Sequence, residues 1–389
     1  MDDDRVAYET REENMILTLR RQEVLEKIAY IGYSILIVLF YGAKYIFDNT
    51  GLGFLMTALL LSAYGCLGIK LLFTRYTIKE YIWGSILVLL AAVAFLKNRN
   101  IYLPTNLILI LSLKNIDLVK WFQRSFWVAL ITVICTMGLS VLGIGGVAKI
   151  TRYWGRGILE TRYTFGYEWP NTCHMYLLRV YMLLILGYYK KLKWPHMVLM
   201  FIVNIGLFYF TDSRTGMLGI SLLLVYLAFI KLAEPIARKK WFGYIVAFGY
   251  IGIGAATLIL VVFLSESSVF QLLDELLTGR LNLSVAAINE HPVSLLGSNM
   301  KGVYIDCGWI SSLLSWGGGW YLLYHGAVIC LIIKCIYKFE IRIPMILFIT
   351  AVYGICESSV MEKGVASVAV IVISALLFDN YSIEENVSM

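Results

Sequence analysis

Arg162, Arg214 and Arg280 each stand in a short polar stretch between long apolar runs. A guanidinium is permanently charged and meets phosphate oxygens with two parallel hydrogen bonds, so these residues point to an anionic substrate. The richest stretch, residues 161–171, reads Thr-Arg-Tyr-Thr-Phe-Gly-Tyr-Glu-Trp-Pro-Asn. Lys149, Arg152 and Arg156 precede it, Gly166 follows Arg162, and Pro170-Asn171 opens the next apolar run. Asn is a good N-cap, and helix N-termini favour anions. Arg214 lies in Thr-Asp-Ser-Arg-Thr-Gly, residues 211–216, where a plain Asp212–Arg214 pair capping a turn is the structural alternative. Arg280 follows Thr278-Gly279. Lys149 and Arg152, taken singly, are explained by side chains snorkelling at a membrane interface.

A proton acceptor is sought among the acids and histidines. Asp306 precedes Cys-Gly-Trp and the glycine run 317–319. A carboxylate there could take the proton of a sugar hydroxyl; its structural alternative is a helix cap or a salt bridge to an arginine. His291, in Asn-Glu-His-Pro, is the second candidate, since histidine suits proton transfer, although a lone one is more often structural. Glu357 is expected to pair with the basic groups. No CxxC or His/Cys cluster occurs, so neither a metal site nor a disulfide framework is expected, and no cofactor is called for.

The elements that must hold these residues are membrane helices. Of 389 residues, 59% are hydrophobic and 15% charged, against about 45–50% and about 25% in soluble domains. Ten Trp and 26 Tyr suit the water–lipid interface. The net charge of +7 does not suggest nucleic acid, because most Lys and Arg lie at the ends of apolar runs. A span needs about 20 apolar residues, and twelve helices are read at 28–47, 52–73, 80–97, 101–113, 125–148, 172–189, 195–210, 215–233, 241–264, 311–334, 342–359 and 364–379. The run 101–113 is short, but if it does not span, the early basic loops change sides and contradict the later ones. Counted as a span, it puts the main Lys/Arg clusters on one side, the cytoplasmic side by the positive-inside rule. The reading is a cytoplasmic tail 1–27, one transmembrane domain 28–379 and a cytoplasmic tail 380–389. The outer loops 149–171 and 265–308 carry the functional residues. Within the second, residues 270–277 and 281–288 have helical apolar spacing, with Thr278 as N-cap of the latter.

The order Arg162-(x)3-Gly166, Pro170-Asn171, residues 212–216, Gly279-Arg280 and Asp306-Cys-Gly-Trp running into Gly317 carries a resemblance. The chain resembles the Wzy-type polysaccharide polymerases, in the superfamily shared with the O-antigen ligases, over almost its whole length. The resemblance implies an all-α, glycosyltransferase-C-like fold of about twelve transmembrane helices, with a long outer loop before the last three. It implies a metal-independent glycosyltransferase in a bacterial plasma membrane that polymerises undecaprenyl-diphosphate-linked oligosaccharide repeat units into capsular, exopolysaccharide or O-antigen chains. Arg162, Arg214 and Arg280 would hold the diphosphate, supported by Gly166, Asn171, Asp212 and Glu357. Asp306 stands where the ligases have a histidine, which favours a polymerase and leaves Asp306 and His291 both open as the base. Membrane lipid, a flippase and chain-length regulators are the further partners implied. The rivals are an O-antigen-type ligase and a flippase or transporter of the lipid-linked sugar.

Overall fold

The computed structural model describes residues 2–153, 158–362 and 364–381. Arg156 and the tail beyond Tyr381 lie outside them. The chain is a helical, polytopic membrane protein. Among the described residues, eight helices are long and apolar enough to cross a membrane: Leu19–Asp48, Gly53–Phe73, Ile78–Asn98, Leu118–Val141, Trp194–Thr211, Arg214–Leu232, Lys240–Phe263 and Gly308–Tyr337. Their outward faces are apolar. On Lys240–Phe263, Ile245, Phe248, Ile259 and Phe263 are exposed, a stripe that a soluble helix would present as polar.

Three shorter apolar helices accompany these, Tyr102–Ser112, Arg342–Tyr353 and Val368–Phe378. A further helix, Pro170–Tyr188, is buried along most of its length. It packs against the helices beginning at Leu118, Trp194, Arg214 and Arg342, so protein rather than lipid surrounds it. That position explains its composition. His174 and Arg179 are fully buried on it, and no lipid-facing stripe is needed.

Several boundaries differ from expectation. The tail expected at 1–27 is helical from Asp2, continuous with the first span. The helix expected at 125–148 runs Leu118–Val141, because the Asp117 carboxylate accepts from the amides of Val119 at 2.8 Å and Lys120 at 3.2 Å and starts the helix inside the charged stretch, ahead of Lys120 and Arg124. The helix expected at 342–359 stops at Tyr353, which leaves Glu357 in a loop. The segment expected as a loop before Asn171 contains an antiparallel hairpin, β1 (Lys149–Tyr153) with β2 (Leu159–Tyr163), in which Ile150 faces Arg162. It is the one sheet among the described residues.

Two helix irregularities shape the same end of the bundle as this hairpin. The first span carries a π-turn at Leu39–Ala43. The Tyr167 hydroxyl donates to the Tyr41 carbonyl at 2.9 Å, within that turn. A side chain on Gly42 would meet Thr136 at 2.0 Å, so glycine lets the first span press against Leu118–Val141. The second irregularity is at Gly317, where φ 85 and ψ 162 break Gly308–Tyr337. Loop residues 294–298 take up the freed groups: Gly318 N donates to Ser294 O at 2.9 Å, Gly319 N to Leu295 O at 3.1 Å, and Ser298 N to Leu314 O at 2.8 Å. A Cβ at Gly317 would lie 2.1 Å from Gly297 N, so the glycine is required both by its φ and by this approach.

Candidate functional site

The long connection 265–308 holds two helices, Ser268–Leu276 and Arg280–Glu290, close to the apolar spacing read from sequence. Phe270, Leu281 and Ala287 are buried, so the segment packs on the protein. Thr278 does not cap the second helix; it takes a left-handed conformation, and Gly279 is the N-cap residue. The carboxylate of Asp274, from the preceding helix, accepts from Leu281 N at 2.8 Å and Asn282 N at 3.0 Å. A residue seven positions upstream thus performs the cap, which fixes Arg280 at the helix start.

Arg280 reaches across to the far end of the chain. Its Nη1 lies 3.2 Å from Glu357 Oε1 and also donates to the Cys356 carbonyl, and its Nε lies 3.4 Å from Asp306 Oδ2. Asn171 donates to the same Glu357 oxygen. Asn171 is therefore not the expected N-cap; Trp169 is, with Pro170 in the first turn. Burial raises the Glu357 carboxyl above its ordinary value and the neighbouring Asp306 adds to this, against the opposing pull of Arg280 and Asn171. For Arg280 burial acts downward, but Glu357 and Asp306 outweigh it and the guanidinium is held more firmly protonated.

Arg162 belongs to a separate group. Its Nη2 lies 2.8 Å from Glu160 and 3.0 Å from Asp212. Asp212 therefore pairs with Arg162 across the hairpin, where the sequence suggested Arg214 as its partner. Asp212 closes the Trp194–Thr211 helix in a left-handed conformation that aims its carboxylate at β2. Arg214 is exposed. Gly166, at φ 87, packs where a Cβ would lie 2.9 Å from Ser140 Cβ, and its amide donates to Val147 O at 3.1 Å, closing the hairpin's base. His291 is half-buried with Nε2 lacking a hydrogen-bond partner, and it ends the Arg280–Glu290 helix.

A cleft of about 750 Å³ opens at this end of the bundle. Asp306, Glu357 and Asn171 line it, together with Glu168 and Trp169 from the segment after the hairpin. Arg280 touches its wall through Asp306 and Glu357. Arg162, Arg214, Asp212, Gly166 and His291 do not line it. The structure thus brings together Arg280, Asp306, Glu357 and Asn171, and holds Arg162 with Asp212 as a brace of the hairpin. The volume lies within the range of about 300–1,000 Å³ usual for small-molecule sites.

Sequence reasoning missed four cations here. Lys44, Arg99 and Lys301 line the cleft and make no ion pair among the described residues. Lys44 follows the π-turn, Arg99 caps the Ile78–Asn98 helix in a left-handed conformation, and Lys301 sits in the loop 298–306. Lys44 and Arg99 carried the same signal as Arg162, positive charge near the ends of apolar runs on the side expected from sequence to be the outer one. The fourth, Arg179, lies beneath the cleft floor and is 1% exposed. Its Nη2 donates to Ser359 O at 2.7 Å and its guanidinium lies over Tyr176 at 5.0 Å, while Nε and Nη1 have no hydrogen-bond partner. An arginine in the middle of an apolar run was its signal.

No family model, curated protein or solved structure matches this chain. Among the described residues no group of His, Cys, Asp and Glu could hold a metal ion. The cleft combines three carboxylates, Asp306, Glu168 and the buried Glu357 beside Arg280, with unpaired cations and neutral hydrogen-bonding side chains. Such a lining can bind an anion and polar hydroxyls together, and can accept a proton.

Proposed function

We propose that the protein is a membrane glycosyltransferase of the polysaccharide-polymerase type, transferring a growing glycan from a polyprenyl-diphosphate carrier to the next lipid-linked repeat unit. The observation that carries this reading is the composition of the cleft: carboxylates Asp306 and Glu357 beside Arg280 and Asn171, in a cavity large enough for sugar residues, at the end of a membrane bundle. In this reading all twelve apolar segments span, both termini are cytoplasmic, and the cleft opens on the outer face. Clusters such as Lys190, Lys191 and Lys193 at the opposite end support that orientation.

The step is a displacement at the anomeric carbon. The acceptor hydroxyl oxygen forms the new C–O bond, the bond to the diphosphate oxygen breaks, and the diphosphate leaves with the electron pair. The hydroxyl proton passes to a carboxylate, for which Asp306 is the candidate: it lines the cleft, whereas His291 does not. Arg280 holds Asp306 and Glu357 in position, and cations at the cleft neutralise charge developing on the leaving group. The expected diphosphate grip by Arg162 and Arg214 has no support from their positions; Arg162 is engaged by Glu160 and Asp212.

A flippase for the same lipid is the second reading. The break at Gly317, the segmented stretch 359–378 and the buried Arg179 resemble the interrupted helices and intramembrane charge of transporters. The lipid-linked pool of a deletion strain separates the two. Single repeat units accumulating on the outer leaflet support the polymerase; lipid-linked sugar trapped on the inner leaflet supports the flippase and overturns the first reading.

A further inference from the structure

The Ser268–Leu276 helix carries two apolar faces. One is packed on protein: Phe270 is 1% exposed, and Leu273 and Leu277 lie against the core. The other, made of Val269, Leu272 and Leu276, is exposed. At about 100° per residue these three fall within an arc of about 60°. Ser268, Gln271 and Glu275, also exposed, fill a second arc, about a third of a turn away. The buried face lies about a third of a turn to the other side. The helix therefore has three sectors: one against protein, one polar, and one apolar that nothing among the described residues covers.

The place of the helix in the chain says what covers the third sector. The Lys240–Phe263 span ends with Val262 and Phe263 exposed, on a face that in a membrane protein meets lipid. Leu264, exposed as well, opens a turn. In it the Ser267 amide donates to the Leu264 carbonyl at 3.0 Å, and the Ser267 hydroxyl donates to the same carbonyl at 2.7 Å. That hydroxyl also accepts from the Phe270 amide at 3.1 Å and caps the new helix. Only residues 264–267 separate span from helix. Fully extended they would reach about 14 Å, and folded into a turn they reach less. The apolar surface of the span thus continues onto Val269, Leu272 and Leu276 at the bilayer edge.

We propose that Val269, Leu272 and Leu276 insert among the acyl chains of the bilayer, with Gln271 and Glu275 toward water, so that the membrane surface seats the helix that positions Arg280. A helix in this setting buries its apolar face about 5–10 Å into the boundary between headgroups and acyl chains. The helix has no Lys or Arg, so its partner is the acyl layer of ordinary phospholipid and not an anionic headgroup. The seat reaches Arg280 through Asp274. Its carbonyl accepts from Gly279 N at 2.8 Å, and its carboxylate holds the Leu281 and Asn282 amides. The two helices move as one unit, and a displacement of the first shifts Arg280 and its contacts to Asp306 and Glu357. Nothing in this depends on the reaction at the cleft; it holds for a polymerase and a flippase alike.

The test uses the full chain in phosphatidylcholine nanodiscs, with Cys135→Ala and Cys330→Ala removing the two exposed thiols. A nitrobenzoxadiazole label is introduced in turn through Val269→Cys, Leu272→Cys, Leu276→Cys, Gln271→Cys and Glu275→Cys. Doxyl-labelled phosphatidylcholine is expected to quench the first three at least about twofold more than the last two, and iodide in the water to do the reverse. Equal quenching at all five positions, or iodide reaching position 272 as readily as 271, overturns the membrane seat. Trypsin tests the coupling on unlabelled protein. Leu272→Asp combined with Leu276→Asp is expected to speed cleavage of the Arg280–Leu281 bond by about tenfold or more, while cleavage after the exposed Lys239 keeps its wild-type rate. Gln271→Asp adds a charge in the polar sector and should leave Arg280 protected. Wild-type protection of Arg280 in the double variant overturns the coupling. Equal acceleration after Arg280 and Lys239 means general unfolding and overturns it too.

Discussion

Arg280 and Glu357, 77 positions apart in the chain, meet at 3.2 Å with their side chains 14% and 10% exposed. The pair joins the long connection 265–308, which also carries Asp306, to the loop before the last helices, and Asn171 closes on it from a third segment. Three distant stretches of sequence therefore depend on one buried charge pair.

Removing one partner of a buried pair leaves the other uncompensated, at a cost of about 3–5 kcal/mol. Arg280→Ala is expected to lower the melting temperature in detergent measurably and to abolish polymer. Arg280→Lys should recover stability in part but little activity, since Lys does not reproduce contacts through two guanidinium nitrogens. A thermal shift of the purified variants checks this. An Arg280→Ala protein as stable as wild type would contradict it.

Asp306→Asn keeps shape and removes basicity. A rate loss on the order of 10²-fold or more is expected on purified lipid-linked repeat units. His291→Gln should cost far less, because His291 does not line the cleft. The reverse ranking of the two variants would transfer the proton-accepting role to His291.

Glu357 gives a pH dependence. Its folded carboxyl titrates above the ordinary 4.5, through burial first and Asp306 second. Such a raised group contributes stability that is complete below its unfolded value and is lost as pH rises through its folded value. The expected result is a protonated Glu357 persisting above pH 4.5, seen as a carboxylic-acid band in infrared difference spectra that Glu357→Gln removes. Asp306→Asn should shift the band's midpoint downward, since one of the charges raising it is gone. A midpoint at or below 4.5 in the wild type would contradict the assignment.

At Gly317 a methyl group would meet Gly297 N at 2.1 Å in a backbone conformation that L side chains rarely adopt. Gly317→Ala should cost at least about 1–3 kcal/mol and release loop 294–298, exposing it to proteolysis at sites protected in the wild type. Gly318→Ala, where a Cβ meets nothing within 4 Å, is the control and should be near neutral.

The sequence made the helices legible to within a residue or two where an apolar run ended in a sharp polar change. The runs read at 52–73 and 241–264 are Gly53–Phe73 and Lys240–Phe263. It misjudged 125–148, where Trp121 and Phe122 lie among charges and the glycines of 143–146 prolong the apolar signal past the helix end. Asp306, Glu357 and Asn171 were legible as polar residues at the ends of apolar runs, and they do share a cleft. Which arginine meets which acid was not legible, because Arg162–Asp212 and Arg280–Glu357 are set by tertiary packing between distant segments. Arg162 and Asp212 turn out to brace the hairpin, a role that needs the hairpin to be known first. The apolar groove lined by Leu103, Leu107, Trp316 and Trp320 was least visible, since only the shortness of residues 102–112 hints at unfilled space.

The π-turn at Leu39–Ala43 has a consequence in helical phase. A π-turn accommodates one residue more than the regular helix, and each residue of a regular helix advances the chain by about 100°. Lys44 and Tyr45 thus owe their direction to a count of residues upstream as much as to their own neighbours. Winding the same residues as regular helix, at about 100° each, would leave hydropathy and charge unchanged yet rotate everything from Lys44 to Thr50 by about a quarter of a circle, whereas deleting one residue within the turn would nearly preserve the present direction. One composition could then present a lysine to the cleft or to the lipid, a distinction carried by the winding of a single turn.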